Sequence, residues 1–234
     1  MSQWARLVTV CAVLVLGSAI ALVSWGLASQ QRRVVSYGVK GSLDGVSLDL
    51  GGANVTIVGG GSRSSVAVQR HDRYAFGHDA NSTRSAADGV FRLYSRCPRT
   101  VFHACAASYR LVVPDNVPVD VRTDGGNVTL DRYRGSARIV THSGDVNVSG
   151  FCGFSLQAST SSGDVTSAVA CAPQQLALRS SSGDVRAIVP NGRYRVDAES
   201  GSGTRVVSGL TPAADAVFSI QALSTSGDVR VETR

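Results

Sequence analysis

One tetrapeptide, Ser-Gly-Asp-Val, occurs four times in the second half of this 234-residue chain. Two related turns complete the series: Gly-Gly-Asn-Val precedes the first copy, and Ser-Gly-Thr-Arg-Val lies between the third and the fourth. The repeated glycines are Gly126, Gly144, Gly163, Gly183, Gly203 and Gly227, and their spacings run from 18 to 24 residues. A period near 20 residues is typical of solenoids, in which each repeat forms one coil and stacks on its neighbours.

The apolar residues keep the same phase relative to these glycines. Positions nine, seven and five before Gly126 are Val117, Val119 and Val121, and the other repeats show the same alternation with occasional losses. Alternation with a period of two predicts a strand with one buried face, and a second short strand begins after each glycine. We therefore predict an all-β fold, a single-stranded, β-helix-like β-solenoid of ~20-residue coils with about two strands per coil.

The repeated corner is predicted to be turn chemistry, in which glycine supplies a positive φ and the Ser and Asp side chains bond to the turn backbone. The alternative is a calcium ladder of stacked carboxylates. Asn127 and Thr204 interrupt that ladder, and the glycine-rich nonapeptide of calcium β-rolls is absent. The predicted turn residues are Gly126, Gly144, Asp145, Gly163, Asp164, Gly183, Asp184, Gly203, Gly227 and Asp228.

Four cysteines have spacings that allow pairing. Cys152 and Cys171 each lie eight residues after a repeat glycine, so they occupy the same place in successive coils. Equivalent residues of adjacent coils lie about 4.8 Å apart, which is within the Cα range of a disulfide. Cys97 and Cys105 can close a short local loop. Two disulfides would place the domain in an oxidising compartment.

The N-terminus contains 22 residues, 7–28, without a charge. We predict one transmembrane helix there, with a cleaved signal peptide as the alternative. The predicted domains are a membrane anchor with its juxtamembrane segment at 1–33, an N-terminal β region that caps the solenoid at 34–110, and the solenoid at 111–234. The predicted localisation is the cell membrane, single-pass, with the C-terminal domain extracytoplasmic.

The strands at 109–114 and 117–121, followed by the Ser-Gly-Asp-Val turns, resemble the bacterial putative-adhesin family of β-strand repeats, the DUF4097 domain. The resemblance covers about residues 109–234. It implies a β-solenoid at the bacterial envelope, and it offers no family active site to assign to residues of this chain.

Function is less constrained by the sequence than fold. The chain contains no common hydrolase, zinc-protease, phosphate-binding or dinucleotide motif, so we predict no catalytic, cofactor-binding or metal residue and no cofactor. Aromatic residues make up 6% and follow no basic stripe, which argues against nucleic-acid binding. No small-molecule substrate is evident. We predict a non-enzymatic adhesin or envelope-surface binding protein, with the membrane and either a cell-wall polymer or another envelope protein as partners. The alternatives are an accessory or sensor protein of an envelope-stress system and a β-helix carbohydrate enzyme.

Overall fold

The computed structural model describes residues 3–28, 30–62, 65–99 and 105–234. The chain begins with one helix, α1, at Gln3–Ala28. Among the described residues, no helix has the length and apolar character needed to cross a membrane. The predicted single-pass anchor, and the membrane localisation that depended on it, are therefore wrong. That prediction relied on the lack of charge in 7–28, which makes a segment uncharged but does not by itself make it a membrane span.

Twenty strands account for most of the remaining described chain. Their bounds are β1 Gln31–Lys40, β2 Gly45–Leu50, β3 Asn54–Gly61, β4 Ser65–Tyr74, β5 Asn81–Ala87, β6 Val90–Arg96, β7 Cys105–Pro114, β8 Val119–Thr123, β9 Val128–Asp131, β10 Ala137–Thr141, β11 Val146–Phe151, β12 Ser155–Thr160, β13 Val165–Val169, β14 Gln175–Ser180, β15 Val185–Val189, β16 Arg193–Ser200, β17 Arg205–Ser208, β18 Thr211–Pro212, β19 Ser219–Ser224 and β20 Val229–Thr233. The predicted all-β class is confirmed.

The strands form two ten-stranded sheets. Sheet A has the order β1-β4-β7-β3-β9-β11-β13-β15-β20-β17, and sheet B has the order β18-β16-β19-β14-β12-β10-β8-β2-β6-β5. From β8 onward each coil gives one strand to each sheet, and strands of neighbouring coils pair in parallel. Val146 lies opposite Val128 on one side and Val165 on the other, so the repeat is in register. This arrangement is solenoid-like, with two strands per coil.

The core lies between the two sheets. Inward-facing residues of the strands within the stack, such as Leu156 of β12 and Val165 of β13, are fully buried, and the residues between them face outward. Burial of apolar side chains contributes about 25 cal/mol per Å² of apolar surface, which makes this alternation the main stabilising feature of the sequence. Tyr133 and Phe151 are fully buried in this core, with ring centroids 6.4 Å apart.

The N-terminal end of the stack is closed by antiparallel strands. In sheet A, β4 pairs in an antiparallel manner with both β1 and β7, and in sheet B β5 does so with β6. A buried ion pair lies behind β4, where Arg70 Nε donates to Asp72 Oδ1 at 2.6 Å and the Arg70 guanidinium donates to the Ala80 carbonyl at 2.7 Å. Because both charges are partnered, this end tolerates them inside the fold.

The order of stacking departs from the order of the chain at the C-terminus. The last coil, β19 and β20, lies between the coil of β14 and β15 and the coil of β16 and β17. Coil 193–208 therefore lies at this end of the stack, where β17 is the last strand of sheet A and only the two-residue β18 lies beyond β16 in sheet B. At the position where other coils bury a valine, this end coil has Arg205, which is exposed and lies opposite the buried Val229. An arginine is tolerated there because no further coil covers it, and an inward-pointing charge discourages a strand edge from pairing with another chain.

Candidate functional site

The predicted turn glycines form a row along one edge of the stack, where neighbouring coils approach very closely. A Cβ on Gly163 would lie 2.7 Å from the carbonyl carbon of Gly144 and closer still to its oxygen, and Gly183 meets Gly163 in the same way. The prediction that these glycines have a positive φ is wrong. Within the described chain, the glycines with a positive φ are other ones, such as Gly150. The corner requires glycine for space between coils rather than for backbone conformation.

The aspartates of the repeat form a second row beside the glycines. The backbone N–H of Asp164 donates to Asp145 Oδ1 at 3.0 Å, and Asp184 N–H donates to Asp164 Oδ1 at 2.8 Å. Asp228 continues the row from Asp184, and its own Oδ1 accepts the Thr204 N–H at 2.8 Å. That backbone hydrogen bond lowers the pKa of the Asp228 carboxyl. Each carboxylate thus binds the neighbouring coil.

This row does not assemble a recognisable metal centre. Within the described ranges, no group of three or more His, Cys, Asp or Glu side chains is placed to hold a metal ion. One oxygen of each stacked carboxylate is engaged by a backbone N–H of the next coil, which partly satisfies its charge without a cation.

A third row, of buried hydroxyls, was missed in the sequence. Thr160 Oγ1 donates to the Gly144 carbonyl at 3.0 Å, and Ser180 Oγ donates to the Gly163 carbonyl at 2.8 Å. The signal was present, because a Ser or Thr precedes each repeat glycine by three residues. The members of the row are Thr123, Thr141, Thr160, Ser180, Ser200 and Ser224.

The cysteines are paired in the structure. Cys152 is bonded to Cys171 with a Cα separation of 4.7 Å, and the bond joins two adjacent coils. Cys97 is bonded to Cys105, eight residues further along, with a Cα separation of 5.7 Å. The turn rows and the disulfides thus hold the coils together, and neither presents a reactive group to a ligand.

The outer face of sheet B carries a shallow polar depression of about 200 Å³ across β10, β12, β14 and β19. The strand register places Arg138, Gln157, Ala177 and Gln221 side by side on successive strands. Small side chains at its centre, Ala177 and Ser159, leave the floor low. The outward-facing residues around it are Arg138, Val140, Gln157, Ser159, Gln175, Ala177, Arg179 and Gln221.

Two guanidinium groups flank the depression. Arg138 is on β10 and Arg179 on β14, two strands or about 9.6 Å apart, and Arg179 lies two residues further along its strand than the residue in register with Arg138. Arg179 donates to the side-chain carbonyl of Gln221, whose Nε2 in turn donates to Asp197 Oδ2 at 3.0 Å. This chain of hydrogen bonds fixes the Gln221 amide. The lining contains no carboxylate, imidazole or thiol, so the depression can donate hydrogen bonds but has no group suited to proton transfer.

Two sheets of stacked parallel coils, tied by glycine, aspartate and hydroxyl rows, define an all-β repeat protein with a polar outer face. Residues 116–211 match the family model described as Toastrack DUF4097. The resemblance predicted from the Ser-Gly-Asp-Val turns is therefore confirmed. A search of curated proteins finds no match to the chain.

Several solved bacterial structures are similar to this chain at low identity. A putative cell adhesion protein from Clostridium sporogenes is 10% identical with a TM-score of 0.47, and 87% of this chain and 100% of that chain are covered. A putative adhesin from Bacteroides fragilis is 10% identical with a TM-score of 0.45, and the coverage is 86% and 97%. A putative adhesin from Parabacteroides distasonis is 10% identical with a TM-score of 0.35, again covering 86% and 97%.

Proposed function

We propose that this protein is a non-catalytic binding protein of the adhesin type, and that it binds an extended anionic polymer along the outer face of sheet B. The observation that carries the proposal is the depression between Arg138 and Arg179, which is lined by amides and hydroxyls and holds no acidic side chain. A cell-wall polymer has the matching chemistry, with anionic groups for the guanidiniums and hydroxyls for the amides.

The geometry of the coils supports an extended ligand. The row from Arg138 to Gln221 runs across the strands, so a chain laid along it meets a new coil about every 4.8 Å. Beyond the depression the row reaches Asp120 on one side and Asp197 on the other, and because these carboxylates would repel an anion, the anion-binding stretch is limited to β10, β12, β14 and β19. A polymer could therefore contact several coils, each contributing a weak hydrogen bond.

The same lining supports binding over hydrolysis. Glycoside hydrolysis normally needs a pair of carboxyl groups on either side of the scissile bond. The depression contains arginine, glutamine, serine and small apolar side chains instead. We therefore propose that the protein binds the polymer and releases it without cleaving it.

The test is calorimetric titration of the full chain with solubilised cell-wall polymer. The double variant Arg138→Gln/Arg179→Gln should weaken binding at least tenfold, because a hydrogen bond to a charged group contributes about 1.5–3 kcal/mol. The control is Arg230→Gln, an exposed arginine on the outer face of sheet A. Equal loss in the control, or no binding by the wild type, would overturn the proposal. Recovery of a stoichiometric protein partner instead would favour the accessory or sensor alternative.

A further inference from the structure

A second cleft, on the outer face of sheet A at its N-terminal end, concentrates positive charge. We call it the basic cleft; it has a volume of about 320 Å³ and spans β1, β4, β7 and the start of β3. The small side chain of Ala106 leaves part of the floor of the cleft low. Its polar and charged lining residues are Arg32, Arg33, Asn54, His71, Arg73 and Ser108, together with the largely buried Asp72.

Two arginines of the cleft lie directly opposite each other. In the antiparallel pair of β1 and β4, Arg32 is the partner of Arg73, so both side chains leave the same face of the sheet. Like charges directly opposite on neighbouring strands are destabilising. Both side chains are exposed, and neither takes part in an ion pair within the described part of the chain.

The acidic residue nearest to this pair does not neutralise it. Asp72 lies opposite Arg33, one position along the strand, and therefore points to the inner side of the sheet. Its side chain is only 2% exposed, and its Oδ1 accepts from Arg70 Nε at 2.6 Å. The charge of the Arg32–Arg73 pair is thus uncompensated on the outer face.

A row of hydrogen-bond donors lies beside the arginine pair. His71, Ser108 and Asn54 are register partners on three adjacent strands, and all face outward with Arg73. Asn54 Oδ1 already accepts the Asn127 N–H at 2.9 Å, so its amide N–H₂ is the group left to bond a ligand. Polar groups that can donate hydrogen bonds, next to two guanidiniums, match the several acceptor oxygens of an anion.

We propose that the basic cleft binds a phosphate group, held between Arg32 and Arg73, with Ser108 on the adjacent strand β7 as a further hydrogen-bond donor. A phosphate monoester or the end of a phosphate chain carries close to two negative charges at neutral pH, which balances the two guanidiniums. Arginine also matches phosphate oxygens with paired N–H donors. The group could come from a small phosphate compound or from a phosphate-bearing polymer, and this site is separate from the one on sheet B.

The experiment compares the full-length wild type with Arg73→Gln and with Arg134→Gln, a control that removes one exposed charge on a turn distant from the cleft in the register. Binding of pyrophosphate is measured by calorimetry. We expect Arg73→Gln to weaken binding at least tenfold, because it removes one charge-assisted contact, and Arg134→Gln to bind within twofold of the wild type.

A second measurement separates the site from nonspecific charge effects. Without ligand, Arg73→Gln should melt at or above the temperature of the wild type, because the opposed charges are gone. Pyrophosphate should raise the melting temperature of the wild type and of Arg134→Gln, and should raise that of Arg73→Gln much less. Binding of poly(glycerol phosphate) but not pyrophosphate would identify a polymer as the source of the phosphate and support the site if Arg73→Gln weakens that binding at least tenfold while Arg138→Gln/Arg179→Gln does not, and would overturn the proposal if Arg73→Gln leaves it unchanged. No binding of either probe, or equal loss in Arg134→Gln, overturns the proposal. The variant Arg138→Gln/Arg179→Gln should bind pyrophosphate normally, which keeps this outcome independent of sheet B.

Discussion

Replacing Gly163 with alanine tests why the repeat requires glycine at its corners. The added Cβ would lie 2.7 Å from the carbonyl carbon of Gly144, about 1 Å inside the optimal separation of two carbon atoms. The corner has little freedom to relax, because Asp164 N–H is bonded to Asp145 Oδ1 and the Gly163 carbonyl accepts the Ser180 hydroxyl. Neighbouring coils hold the residue from both sides.

The magnitude follows from two opposing effects. Overpacking of a rigid site costs about 1–3 kcal/mol, and we take the upper part of that range because backbone rather than a side chain must move. Loss of glycine freedom in the unfolded chain returns about 0.4–1 kcal/mol. Gly163→Ala should therefore lower the free energy of unfolding by about 2 kcal/mol. Gly125→Ala is the matched control: its Cβ meets open space, so it should be neutral or stabilise by up to about 1 kcal/mol.

The assay is urea unfolding followed by far-ultraviolet circular dichroism, with the free energy of unfolding obtained by linear extrapolation at equal m-values. The two variants should differ by about 2–3 kcal/mol. The crowding argument would be falsified if Gly163→Ala and Gly125→Ala had the same stability to within about 0.5 kcal/mol, the usual range for surface substitutions.

Three further predictions concern the core, the disulfide between coils and the aspartate row. Ser167→Ala should raise the free energy of unfolding by about 1 kcal/mol, measured by urea unfolding, because the buried Ser167 hydroxyl has no hydrogen-bond partner among the described residues; a loss of stability would show that it has one. Replacing Cys152 and Cys171 together with alanine should lower the free energy of unfolding by about 3 kcal/mol in the chain-entropy model, given their separation of 19 residues, and an unchanged urea midpoint would contradict this. The Thr204 N–H lowers the pKa of Asp228, so its stabilising contribution is present above the ordinary carboxyl pKa and is lost as the pH falls through the lowered value; the stability difference between wild type and Asp228→Asn should therefore shrink on acidification below about pH 4, and a constant difference would refute the assignment.

The repeat could be predicted from the sequence because both its period and its phase follow from the geometry of stacked strands. The strand alternation places residues such as Leu156 inward, and the common offset of Cys152 and Cys171 from their glycines brings them together across one coil spacing. The role of the glycines was misassigned, because a sequence shows that no side chain is tolerated but not whether φ or a neighbour forbids it. The hydroxyl row was equally regular and was overlooked.

The order of the last coils could not be deduced from the period. Each coil offers nearly the same strand edges, so several stacking orders satisfy the same pattern. The departures at Thr204 and Arg205 marked the end coil, but only the structure places them there. The depression on the outer face of sheet B could not be predicted from the sequence either. Outward positions such as Ala177 tolerate any residue without changing the strand alternation, so the alternation does not show which of them form a binding surface.

The exchanged order of the last two coils has a consequence for how the chain assembles. Residues 219–234 are synthesised after coil 193–208, yet β19 and β20 lie between two coils that are synthesised earlier. Domains often begin to fold while the chain is still emerging, so coil 193–208 reaches the growing stack before its native neighbour exists. Docking directly on β14 and β15 would bring Arg205 against Val185, the residue that Val229 covers in the finished fold. That mismatch favours leaving β16 and β17 undocked until residues 219–234 are in place, so the position of Arg205 favours one order of docking for these two coils.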